Sequence, residues 1–173
     1  MKTAAALKDV KFDRVFSSPL WRALETAQII SGRTDTIITD DRLREINFGD
    51  CEGGQFDEMK ADAAHPLHNF FCEPESYIPP VGAESFESVM ERGREFFREQ
   101  IFPLEGSCEN VLVVAHGAFN RSVLNTIAGI PLKDFWQIGL PNCAASILSL
   151  ENGELKILEE STVYYGEPVN GRP

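Results

Sequence analysis

The stretch NVLVVAHGAFNR, Asn110 to Arg121, joins two unlike patterns. Asn110 to Ala115 is a continuous apolar run rich in valine, as expected of a strand covered on both faces. Beyond His116 and Gly117 the spacing predicts a helix over about Ala118 to Ala128, closed by Gly129. A covered strand feeding a helix is one half of a β-α unit, and such units build α/β domains with largely parallel sheets.

The same grammar recurs on either side. Arg14 to Ser18 (RVFSS) reads as a short strand running into a helix, with Ser18 as N-cap, Pro19 at the first helical position and Gly32 as the stop. Thr36 to Thr39 (TIIT) reads as a second strand. Phe86, Val89, Met90, Phe96, Phe97 and Ile101 share one helical face and predict a helix over Glu84 to Phe102. Near the end, ASILSL, the turn dipeptide Asn152-Gly153 and ELKILEE read as a hairpin. The tail from Ser161 is expected to be irregular. With no repeats or linkers, residues 1–173 are expected to form a single domain.

Sixteen Lys and Arg residues against 27 Asp and Glu give a net charge of −11. That field repels nucleic acid and anionic membranes, so neither is an expected partner. No apolar run is long enough to span a bilayer, and MKTAAALKDVKFD lacks the apolar core of a signal peptide. The expectation is a cytoplasmic protein whose cysteines (51, 72, 108 and 143) stand singly as reduced thiols. No metal-ligand spacing is present, so neither a metal nor a cofactor is expected. A small anionic ligand remains admissible where cations and backbone N–H donors gather locally.

Parallel sheets place ligands beyond the carboxyl ends of their strands, which directs attention to SSPLWRA and HGAFNR. His116 stands at a helix start, where backbone donors favour an anion and a histidine can bind phosphate when protonated or shuttle a proton. Its alternative role is a strand-end histidine held by one hydrogen bond. Arg22 presents the donor fork that suits phosphate oxygens, unless it pairs with Glu25. Glu45, in LREINFGDCEG, has the chemistry of a general acid, unless it is one more solvated acid.

Taken together and in order, SSPLWRALETAQII, LREINFGDCEG and VVAHGAFNR resemble the histidine phosphatase superfamily, also called phosphoglycerate-mutase-like. PVGAESFESVMERGREFF resembles its GES-containing segment, and PNCAASILSLENGELKIL its closing strands. The likeness runs from about Ala4 to Glu159 and looks closest to the α-ribazole and broad-specificity phosphatase branch. It implies a three-layer α/β/α sandwich with a mainly parallel sheet, and phosphomonoester hydrolysis through a phosphohistidine. Arg22, His116 and the Ala118 backbone N–H would then bind phosphate, Glu45 would be the proton donor and His116 would join it in catalysis. A lid-like insertion would cover about 55–82, and the ligand would be a small phosphorylated metabolite or inorganic phosphate. The short interval between LREINFGDCEG and GAESFESV favours phosphatase over mutase chemistry.

The family's nucleophile lies in an Arg-His-Gly motif, and these 173 residues contain none. Met1 aligns within the helix that follows that motif, so the expectation is an N-terminally truncated domain with its first strand missing. Such a chain is expected to be inactive as a phosphatase; the alternative is a pseudoenzyme that binds a phosphorylated ligand or a protein. His65 and His68 fall in the lid-like stretch, where a nucleophile is not expected to be held in line. In the family the first strand lies beside the strand ending at His116. Its lack is expected to draw the neighbours together, leave the sheet partly open, or leave an edge for another chain, with a homodimer through that edge favoured.

Overall fold

The structure, a computed structural model, describes residues 2–137 and 139–165. Strands β1 (Arg14–Ser17), β2 (Ile38–Thr39) and β3 (Val111–Val114) form a parallel sheet in the order β2-β1-β3. The register sets Phe16 beside both Ile38 and Val113. The helices are α1 (Lys2–Ala6), α2 (Trp21–Ser31), α3 (Phe56–Ala61), α4 (His68–Cys72), α5 (Phe86–Phe96) and α6 (Gly117–Ala128). Strands β4 (Ala145–Glu151) and β5 (Glu154–Thr162) form an antiparallel hairpin.

Alternation along β1 puts buried side chains on both faces of the sheet, Phe16 on one and Val15 and Ser17 on the other. Phe16 meets Phe96 of α5 edge-on, with ring centroids 5.5 Å apart, and joins the main apolar cluster. Val15, equally buried, lies outside that cluster, as do Ala23 and Ala27 of α2, the helix packed on β1 and β3. Helices therefore flank the sheet on both faces, as an α/β domain requires. Helix α5 packs on α6, and a Cβ at Gly93 would meet Val123 and Phe119 at ordinary contact distance.

Several expectations need correction. Ser18 does not cap α2: the N-cap is Leu20, without a side-chain bond, while the Ser18 hydroxyl turns toward His116. The TIIT strand shrinks to Ile38–Thr39, an edge strand with one neighbour and an exposed Ile38. The long helix does run from just after its Ser85 cap, but beyond Phe96 it continues as a π-helical turn, Phe97–Ile101, and a 3-10 turn, Phe102–Leu104. Pro103 cannot donate to an α-helical ladder, which accounts for the change of pitch. Ser161 and Thr162, read as irregular, belong to β5, and the tail from 166 on lies outside the described residues.

The largest correction concerns β3. All four of its residues are half-buried rather than covered on both faces. One ladder edge of β3 pairs with β1, whereas the hairpin forms a separate sheet. Of the three outcomes expected for this region, the partly open sheet is the one seen among the described residues.

The segment over 55–82 is packed into the body. It holds α3, α4 and a 3-10 turn, and it buries Met59, Leu67 and Phe70. The Phe70 ring stacks on Phe86 at 4.8 Å and meets Phe48 and Trp136 edge-on at 4.9 and 5.1 Å. Phe70 is 1% exposed, so its removal leaves a cavity in the centre of this aromatic cluster. Phe70→Ala is expected to cost about 3–5 kcal/mol, read as a lower urea midpoint with an unchanged slope.

Candidate active site

The β3–α6 junction supplies the centre. Helix α6 begins at Gly117 with His116 as N-cap, and the His116 side chain makes no capping bond. The orphan N–H groups of such a helix start need an acceptor. They find it 73 residues away in sequence: Glu45 Oε2 accepts from Ala118 N–H at 3.2 Å, and Oε1 from Phe119 N–H at 3.1 Å. Glu45 thus caps α6 in place of a local side chain, and its charge suits the positive helix end.

Two clasps hold Glu45 there. Its own loop is bound to the 81–84 loop by Glu84 N–H to Asn47 O and by the Asn47 side chain to Gly82 O. Gly49, at φ +58°, lies so close to residues 81–83 that a Cβ would fall 2.5 Å from the Val81 carbonyl oxygen. The second clasp is Arg92, on α5. It grips Glu84 with two hydrogen bonds of 2.7 and 2.9 Å and donates to the carbonyls of Arg42 and Arg44. Burial works against the Glu84 charge, but the Arg92 guanidinium outweighs it and holds that carboxyl below its usual range. Sequence reasoning missed Arg92 and Glu84; the signal available was the GAES segment followed by an arginine at helical spacing.

His116 is 7% exposed, and its Nε2 lies 2.8 Å from the Ser18 hydroxyl. Ser18 Oγ also accepts the Leu20 N–H, which leaves the hydroxyl proton available for the imidazole. Burial first, and then the charges of Arg22, Arg92 and Arg44, push the His116 pKa down to about 4. With its pKa at about 4 the imidazole is neutral at pH 7. The same three arginines make it a site that gains a proton readily once an anion offsets their field.

Arg22 projects from the first turn of α2, exposed, and its charge bears on His116. The pairing with Glu25 that would have made it an ordinary surface residue is not formed among the described residues. The structure therefore joins Glu45 to Ala118 by a hydrogen bond and sets His116 within electrostatic reach of Arg22. The Ala118 N–H, expected to face an anion, is occupied by Glu45 here. Beside Glu45 opens a cavity of about 550 Å³ whose walls include Arg44, Asn47, Ser85, Ser88 and Arg92. His65 and His68 do not line it. No group of three or more His, Cys, Asp or Glu residues is placed to hold a metal among the described residues.

The buried His116 sets a pH dependence. Its folded pKa of about 4 lies below the ordinary histidine value of 6.5, so the unfolded chain binds the proton first as pH falls. Stability is then fully present above about pH 7 and declines as pH drops from about 6.5 to 4, by roughly 2–3 kcal/mol. Urea midpoints measured across that range should show the slope, and His116→Gln should flatten it.

Comparison with known proteins agrees with this geometry. The sequence profile described as the histidine phosphatase superfamily (branch 1) matches residues 1–161. A putative phosphoserine phosphatase 2 of Hydrogenobacter thermophilus is 31% identical over 156 residues, 90% of this chain and 72% of that protein. A 2,3-bisphosphoglycerate-dependent phosphoglycerate mutase of Cytophaga hutchinsonii is 32% identical over 139 residues, 78% of this chain and 64% of that protein. The fold superposes on Bacillus stearothermophilus YhfR with a TM-score of 0.83 at 29% identity, covering 94% of this chain and 80% of YhfR. An α-ribazole phosphatase from Shigella flexneri shares the fold at 22% identity, with a TM-score of 0.77 over 93% of this chain and 79% of that one. With a parallel sheet, a histidine at the end of β3 and a profile match over nearly its whole length, the chain belongs to the histidine phosphatase superfamily.

Proposed function

We propose that the chain carries the phosphate-handling part of a phosphomonoesterase site, formed by Arg22, His116, Ala118 and Glu45. The observation that carries this reading is the field on His116. A buried imidazole that bears the charges of Arg22, Arg44 and Arg92, of which Arg22 has no carboxylate partner among the described residues, favours an anion, and a phosphate dianion there would offset the cations and protonate the histidine. Glu45 stands beside this centre and borders the cavity, where the alcohol part of an ester would lie. As general acid it would give up its hold on the α6 N–H groups and pass a proton to the leaving oxygen. Ala118 N–H would then be free to receive a phosphate oxygen. The segment over 55–82 would act as the cover of that cavity.

Covalent turnover needs a nucleophile, and among the three histidines none but His116 adjoins the centre. Its neighbours match the role of phosphate contact rather than attack. The 173-residue polypeptide is accordingly proposed to bind phosphate and phosphomonoesters without turning them over. The same site in a chain that also carried an Arg-His-Gly segment would be a phosphatase. The second reading, a non-catalytic binding protein, is favoured by Glu45 itself, because both of its oxygens already accept from backbone donors.

Two measurements decide between these readings. Vanadate or inorganic phosphate should bind with the His116 imidazole resonances moving to their protonated positions at pH 7. Incubation with an activated phosphate donor should leave no acid-labile phosphohistidine. Stoichiometric labelling would overturn the inactive assignment, and an unmoved His116 would overturn the phosphate site.

A further inference from the structure

One ladder of backbone groups is left unmade beside β3. Its parallel register with β1 sets Phe16 beside Val113, and the Ser18 N–H donates to Val114 O at 2.9 Å. Backbone groups alternate across a strand, so Leu112 and Val114 turn theirs toward β1. The N–H and C=O groups of Val111 and Val113 then face the other edge, where no strand pairs with them among the described residues. Beyond that edge stands β4, which pairs with β5 alone. Val111 and Val113 of β3 and Leu150 of β4 pack against the same apolar cluster. The two strands therefore border one core without pairing with each other.

An unpaired ladder edge is a template for another strand. All four residues of β3 are half-buried, and they alternate between the apolar cluster and the α2 side of the sheet. A strand that completes their cover must be apolar on both faces. On the β4 wall Ile147 adds apolar surface, at 41% exposed. Charge sets the sense of the fit. Glu109 precedes β3, and Glu105 accepts the N–H groups of Asn152 and Gly153, which ties the hairpin turn to that same end. Glu151 and Glu154 flank the turn, exposed, and none of these four acids forms an ion pair among the described residues. The opposite end leads to His116, which bears the charges of Arg22, Arg44 and Arg92. A basic terminus is thus favoured at the glutamate end and disfavoured at the other. β3 of a second copy fits poorly, because it carries β1 on its paired edge and would bring it against the hairpin.

We propose that the free edge of β3 is a docking surface for a lone extended segment of another polypeptide, apolar on both faces and basic at the end nearest Glu109, which adds to the sheet between β3 and β4. Main-chain hydrogen bonds to Val111 and Val113 supply the affinity, and the glutamates set the orientation. The docked segment runs toward the candidate site, since His116 lies two residues beyond the end of β3. The surface does not depend on the phosphate site proposed above.

The test is amide hydrogen exchange of the full chain, alone and with the capped peptide Lys-Lys-Val-Ile-Val-Val-Val. In the free chain the Val111 and Val113 amides should exchange faster than those of Leu112 and Val114. Peptide at roughly ten times its dissociation constant should slow the Val111 and Val113 amides about tenfold. Two control peptides keep the apolar side chains. N-methylation of every second residue removes the donors to one wall of the slot, and Glu-Glu in place of Lys-Lys reverses the charge. Each should bind at least about tenfold more weakly, the scale of one or two hydrogen bonds or of a charge reversal. Unchanged Val111 and Val113 exchange at millimolar peptide, or equal binding by either control, would overturn the proposal. Slow exchange at both valines in the free chain would also overturn it. A dimer in sedimentation would then assign the edge to a second copy, and a monomer to residues 166–173 of the same chain.

Discussion

The carboxylate of Glu45 accepting the N–H groups of Ala118 and Phe119 is the contact through which the parts of this site are joined. It unites a loop that follows β2 with the helix that follows β3, two elements with no pairing of their own in the sheet. A helix start without a local cap would otherwise leave donors unsatisfied near the centre of the domain. The need for an acceptor there explains why the Glu45 loop is held so tightly. Gly49 permits the close approach of residues 81–83, and Arg92 draws α5, the 81–84 loop and the Glu45 loop into one unit.

The consequence is a site built from cations with unequal partners. Arg42, Arg44 and Arg92 spend their charge on structural carboxylates, yet Arg44 and Arg92 still bear on His116. Arg22 bears on His116 with no carboxylate of its own among the described residues. Burial and this field together keep the imidazole neutral, and an anion held beside it would favour its protonation. The protein as a whole carries a net charge of −11, and the local field has the opposite sign. Local field and global charge are separate quantities, and only the first decides which small ligand is held.

The open region between β3 and the hairpin bears on the same site. β3 ends at Val114, two residues before His116, so the ladder edge without a partner among the described residues runs directly toward that histidine. Val111 to Val114 remain half-buried although their composition is that of a covered strand. A continuous valine-rich run reports the cover that a strand's side chains are suited to, and the hydrogen-bonding partner decides whether the cover is complete.

The sequence by itself determined the elements whose signals are local. The valine run, the glycine stops at Gly32 and Gly129, and the Asn152-Gly153 turn, with both residues at positive φ, each act within a few residues. It also determined which residue types stood beyond the strands, so that Arg22, Glu45 and His116 were legible before any fold was known. What it could not determine were contacts made across long separations. Ser18 was read as a helix cap because the adjacent Pro19 invites that reading, yet its hydroxyl serves His116, 98 residues away. Ala118 was read as an open donor, and Glu45 fills it. Arg121 looked like one helical residue among many until the fold buried it against Trp136 without an acceptor. Hydrogen-bond satisfaction and desolvation are properties of the packed chain, and those two quantities decided how the legible residues are used.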